Sequence, residues 1–76
     1  MLNYKELIES NHKIMLGKPV IKGTRITVEL ILRKFSEGVS IPELMEMYPN
    51  LNKEQILACI EYAADVIGNE EVMELV

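Results

Sequence analysis

The stretch Ser40-Ile41-Pro42-Glu43-Leu44-Met45-Glu46-Met47-Tyr48-Pro49-Asn50-Leu51-Asn52-Lys53-Glu54-Gln55 places a helix start, a helix stop and a second helix start in close succession. Ser40 with Glu43 three residues on is a capping box: the hydroxyl accepts from the Glu43 N–H and the carboxylate reaches back to the Ser40 N–H. Pro42 is tolerated there, because first-turn N–H groups have no intrahelical partner. Pro49 removes a donor and forces Tyr48 out of helical geometry, so the helix is short. Leu44, Met45 and either Met47 or Tyr48 are its expected buried stripe. Asn52 and Gln55 repeat the box and open the next helix.

Upstream, Thr27 can cap a helix carrying Val28, Leu30, Ile31, Leu32 and Phe35, stopped at Gly38. Downstream, Ile56, Ile60, Ala63 and Ile67 keep to one helix face, flanked by Leu57, Cys59 and Ala64, and Gly68 ends it. This is the order of a helix-turn-helix unit, an outline shared by three-helix bundles that never touch nucleic acid. Before residue 26 the pattern differs. The bursts Ile14-Met15-Leu16 and Val20-Ile21, separated by Gly17, Pro19 and Gly23, read as short strands and tight turns. Strands so short must pair with the helical core or with the same segment of a second chain. Tyr4 to Glu9 fits either a helical turn or a strand. The expected architecture is mainly α: a three-helix helix-turn-helix core over 27–67, a β-rich arm over 1–26 and an acidic tail over 68–76, in a single domain.

The chain has 76 residues, 49% hydrophobic and 26% charged, which fits one small soluble domain and leaves little room for a cofactor pocket with a catalytic apparatus. No cofactor is expected, and association into a homodimer would help so small a core. A single cysteine, Cys59, excludes an internal disulfide and a cysteine-cluster zinc site. Without a signal-peptide pattern or a membrane-length apolar run, the expected location is the cytoplasm. The net charge of −4 hides a division. Residues 1–34 carry seven Lys and Arg against three Glu, +7 − 3 = +4, whereas residues 35–76 carry Lys53 against nine acids, +1 − 9 = −8. Such asymmetry fits a polyanion-facing end and an end facing something else, or simply a dipolar solvated surface.

The run Gly17-Lys18-Pro19-Val20-Ile21-Lys22-Gly23-Thr24-Arg25-Ile26-Thr27-Val28-Glu29 is more specific than any periodicity. With Glu37-Gly38-Val39-Ser40, Tyr48-Pro49-Asn50-Leu51 and Ile60-Glu61-Tyr62-Ala63-Ala64 following in order, it resembles the domain of unknown function 433 family over roughly residues 10 to 65. The resemblance implies a homeodomain-like, winged-helix-related core behind a short β-rich arm. It also implies an antitoxin-like protein that binds and inhibits a PIN-like ribonuclease toxin and represses its own promoter. Family members often carry Asp-Pro where this chain has Ser10-Asn11, which points to a different entry turn.

The glycines of Gly17-Lys18-Pro19 and Gly23-Thr24-Arg25 are too far apart for a phosphate loop and lack its Lys-Ser/Thr pair. They serve turns, and Lys18, Lys22, Thr24 and Arg25 form either a basic arm that meets DNA or a purely structural one, with Arg25 also able to pair with an acid of the helical half. At the third helix, Asn52 and Gln55 are suited to adenine edges and Lys53 to phosphate. Three acids on that helix oppose phosphate contact, and a core-packing helix is the simpler reading. In the acidic half, Glu70, Glu71, Val72, Glu74 and Leu75 mix charge and apolar groups as a partner-binding segment does. With Glu37, Glu43, Glu46, Glu54, Glu61 and Asp65 they suit the basic cleft of a ribonuclease; packing on their own core is the alternative. No catalytic residues are expected. His12, the sole histidine, lies in a loop, Cys59 lies among apolar residues, and Glu43 with Glu46 lacks the further ligands of a metal site. A DNA-binding regulator without a toxin partner and a non-enzymatic dimerisation module are the competing function classes.

Overall fold

The computed structural model describes residues 4–69. Its helices begin where side chains satisfy first-turn donors. Thr27 Oγ1 accepts from the Leu30 N–H at 3.0 Å and opens α1, Val28–Ser36. Gly38, at φ 89°, then lets the Val39 N–H reach the Lys34 carbonyl (3.0 Å) and the Gly38 N–H reach that of Phe35 (2.9 Å). This paired closure is the Schellman arrangement, and it turns the chain directly into α2, Ile41–Met47. Both capping boxes form: Ser40 with Glu43 at 2.9 and 3.2 Å, and Asn52 with Gln55 at 2.8 Å in both directions. The second opens α3, Lys53–Gly68.

The N-terminal segment resolves its sequence ambiguity by being both things. Tyr4–Glu6 is one 3-10 turn, followed by β1, Ile8–Glu9. β1 pairs antiparallel with β2, Val20–Ile21, in the register Ile8 opposite Ile21 and Glu9 opposite Val20. A bridge from Val20 to Thr27 adds a third extended segment beside β2. The arm therefore pairs within one chain. Val20 and Ile21 are fully buried, so it forms one side of the core. Ile14-Met15-Leu16, expected as a strand, makes a left-handed turn instead, with φ of 48° at Met15, 57° at Leu16 and 83° at Gly17. Asn11 Oδ1 accepts from the Lys13 N–H (2.8 Å) and the Ile14 N–H donates to the Asn11 carbonyl (2.9 Å), curling the chain before a strand can run on.

The core gathers Ile8, Ile21, Val28, Ile31, Leu44, Leu51, Ile56, Ala58 and Cys59. Leu32 and Phe35 of α1 and Tyr48 after α2 pack on its edge, whereas Met45 and Met47 are exposed. The expected stripe of α3 is buried only near its start. Ile60, Ala64 and Ile67 are exposed, and of these Ile67 lines an open groove between the distal part of α3 and α1. The other side of α3 is covered by the Tyr4–Glu6 turn and β1. There Tyr4 stands edge-on to Tyr62, with ring centroids 5.8 Å apart, and its hydroxyl donates to Asp65 Oδ2 at 2.7 Å.

Candidate functional site

Three surfaces carry the residues singled out by the sequence. The first is the tip joining β2 to Thr27. The Ile21 N–H donates to the Ile26 carbonyl (2.9 Å), and the Thr24 N–H donates back to the Ile21 carbonyl (2.9 Å), closing a turn with Gly23 at φ 81°. Thr24 Oγ1 donates to the same Ile21 carbonyl at 2.7 Å and accepts from the Ile26 N–H at 3.0 Å. Its hydroxyl is thus committed to the turn. Lys22 and Arg25 flank the tip, exposed, and neither forms an ion pair with any described residue. Among the described residues, Arg25 pairs with no acid of the helical half.

Lys18 does not share that freedom. Its Nζ lies 3.1 Å from Glu29 Oε1, while Arg33 places Nε and one terminal nitrogen 3.1 and 3.0 Å from Glu29 Oε2. Hydrogen bonds from these two cations hold the Glu29 carboxyl below its ordinary pKa. The tip accordingly offers two uncommitted cations, next to one acid: Glu9 Oε2 lies 3.4 Å from the Gly23 N–H beneath the tip.

The second surface is the start of α3. Both Asn52 and Gln55 use their side-chain carbonyls in the capping box, leaving only their amide N–H groups outward. Bidentate reading of adenine needs an acceptor and a donor from one amide, so either residue would have to share its capping oxygen with the base. Lys53 is exposed beside them, next to the exposed Glu54.

The third surface is acidic. Glu46, Glu54 and Glu61 are exposed, and among the described residues no acid C-terminal to Glu37 takes part in an ion pair. Glu43 is spent on its cap, whose hydrogen bonds lower its pKa, and Asp65 accepts from Tyr4, whose phenol is raised mainly by that bond. Glu70, Glu71, Val72, Glu74 and Leu75 lie outside the described residues. His12 is exposed, whereas Cys59 is buried in the core and its thiol is pushed up to about 12 by burial. Among the described residues no three His, Cys, Asp or Glu side chains gather as metal ligands.

Sequence reasoning missed the groove between α1 and distal α3, about 550 Å³, lined by Pro19, Leu32, Tyr62, Ala63, Val66 and Ile67 among others. The long apolar stripe of α3 was its one signal, and periodicity alone does not show how much of that stripe neighbouring elements reach.

The family profile described as "Protein of unknown function (DUF433)" matches residues 8–63. The chain belongs to this family. The matched span contains β1, the basic tip, all of α1 and α2, and most of α3; Val66 and Ile67 lie beyond it. The chain is also 32% identical over 59 residues to the uncharacterized protein y4eO of Sinorhizobium fredii. That alignment takes in 78% of this chain and 27% of the relative, so the chain spans about a quarter of that protein's length. No solved structure matches the chain. No helix among the described residues is long and apolar enough to cross a membrane.

Proposed function

We propose that this DUF433 member is a cytoplasmic, antitoxin-like interaction protein that binds and inhibits a PIN-like ribonuclease. Charge segregation carries the reading. The described ion pairs neutralise Glu29 and Glu37, so Glu46, Glu54 and Glu61 keep uncompensated charge on α2 and α3. Carboxylates without local partners suit a cleft built to hold an RNA backbone, because they meet its cations in the place of phosphate. The test is co-expression with PIN-like ribonucleases of the same genome, followed by size-exclusion chromatography and an RNA-cleavage assay. A co-eluting complex with suppressed cleavage supports the proposal. Separate elution with cleavage undiminished overturns it.

A second reading, repression of its own promoter, is favoured by Lys22 and Arg25 standing unpaired at a hairpin tip. A basic tip beside a helical core can touch phosphate or enter a groove. Fluorescence anisotropy should then show preference for a duplex from the upstream region over a scrambled one, persisting at moderate salt. Equal binding that vanishes with salt would reduce the tip to non-specific phosphate contact.

A further inference from the structure

The groove between α1 and distal α3 has an apolar floor and a rim with more cations than acids. Leu32 and Ala63 line it, and Val66 and Ile67, 46% and 68% exposed, are its last lining residues along α3. At the rim, Lys18 and Arg33 share the one carboxylate of Glu29. Both keep donors to spare. Arg33 spends Nε and one terminal nitrogen on Glu29 and retains the other, and Lys18 uses one of its three N–H bonds. Such a surface fits a ligand that combines apolar side chains with carboxylates and has no cation of its own.

We propose that the occupant is the segment Glu70-Glu71-Val72-Met73-Glu74-Leu75-Val76 of the same chain, which lies outside the described residues. Its composition matches the groove. Val72, Met73, Leu75 and Val76 supply apolar groups, Glu70, Glu71 and Glu74 supply carboxylates for Lys18 and Arg33, and it contains no Lys or Arg. Its origin is at the groove as well. The Asn69 N–H still donates to the Asp65 carbonyl at 2.9 Å, so the chain leaves α3 two residues after Ile67. Tyr62, which also lines the groove, lies about 10 Å back along the helix from there. With Glu70 and Glu71 reversing the direction, the residues from Val72 onward reach up to about 17 Å, enough to run back past Tyr62. Tethering then favours this segment over a free ligand of like chemistry, because a short linker holds it at roughly millimolar effective concentration. A groove covered in this way is closed to other apolar ligands until the segment is displaced. The placement does not rest on the ribonuclease reading.

The experiment attaches a nitroxide to Met73→Cys in the full, isotope-labelled chain and reads paramagnetic broadening of backbone amides by NMR. Cys59 competes poorly for the label, being buried with its thiol pushed up to about 12. Broadening should be strong at Leu32 and Ser36 of α1 and weak at Tyr4 and Glu6, which lie on the opposite side of α3. A segment free in solution would sweep both sides alike. Leu75→Ser with Val76→Ser should shift its bound-to-free ratio about tenfold or more toward free, with unchanged circular dichroism. Glu71→Lys with Glu74→Lys should shift it by a smaller factor that shrinks with added salt. Equal broadening on the two sides of α3 overturns the proposal, as does a preference for α1 that survives loss of Leu75 and Val76. A mixture of spin-labelled chains with isotope-labelled chains lacking the nitroxide tests the remaining occupant. Broadening of Leu32 and Ser36 in that mixture would assign the groove to a second copy and overturn the proposal. Neither ribonuclease nor DNA is present, so the outcome is separate from both of those readings.

Discussion

Lys18 Nζ sits 3.1 Å from Glu29 Oε1, and this contact fastens the segment after the left-handed turn to the first turn of α1. Arg33 holds the carboxylate's other oxygen at 3.0 Å. One carboxylate thus stands between two elements and two cations, at the rim of the apolar groove.

The acid dependence of stability follows from that arrangement. Hydrogen bonds from Lys18 and then Arg33 lower the Glu29 pKa in the folded chain below its unfolded value. Its contribution is therefore present above the unfolded carboxylate pKa and is lost as pH falls through the folded one. Thermal melts from pH 7 downward should show part of the acid destabilisation disappearing in Glu29→Gln. Because the pair is exposed to solvent, that part should be small and should shrink further with added salt.

Alkaline pH should act through Tyr4. The Asp65 bond, then burial, raises its phenol above the ordinary value of 10.0. The stabilisation is complete below the unfolded tyrosine pKa and is lost as pH rises through the folded one. Tyr4→Phe should remove this dependence while retaining the edge-on contact with Tyr62, and Tyr4→Ala should destabilise more because it removes both. Spectrophotometric titration at the phenolate band should show one tyrosine titrating late, and only when Tyr4 is present.

Cys59 should behave as a clock for unfolding. The thiol is fully buried and pushed up to about 12, so the thiolate that reacts with alkylating reagents is scarce at neutral pH. Iodoacetamide labelling of the folded chain should be slow and should accelerate with denaturant in step with loss of helical circular dichroism. Fast labelling in native buffer would contradict its burial. Cys59→Ser should cost about 1–3 kcal/mol, since a hydroxyl replaces a thiol in an apolar site.

Much of the helical framework is written in local chemistry. Thr27, Ser40 and Asn52 each bond a donor within three residues, and Gly38 closes α1 through its neighbours, so no distant contact is needed to place these ends. The turn at Met15–Gly17 was not legible, because apolar residues with strand propensity were overruled by the curl that begins at Asn11. Nor did sequence reveal that Lys18 is taken by Glu29 while Lys22 and Arg25 are free of described ion pairs; those fates depend on how the arm lies against α1. The groove escaped for the same reason: periodicity shows which face of α3 is apolar, not how much of that face its neighbours reach.

Gly38→Ala isolates a backbone effect. Nothing lies within 4 Å of where its Cβ would stand, but φ is 89°. The substitution should cost about 1 kcal/mol through conformational strain alone. A melt showing no loss would mean the α1–α2 junction can close by another route.

The cap and the tip should separate stability from nucleic-acid binding. Asn52→Ala removes the acceptor for the Gln55 N–H and should cost about 1 kcal/mol. Lys22→Glu with Arg25→Glu should leave the melting midpoint nearly unchanged and abolish binding to the upstream duplex. Binding that survives this double reversal would remove the tip from consideration.

The Tyr4–Asp65 bond has a consequence for how the unit can be carried. It brings together side chains 61 positions apart, so entry and exit of the folded body share one corner. A body with neighbouring entry and exit can be spliced into a surface loop of another protein without forcing that loop apart. A host protein bearing this unit as a loop insertion should fold with both parts intact, and breaking the Tyr4–Asp65 clasp should be felt first at the splice.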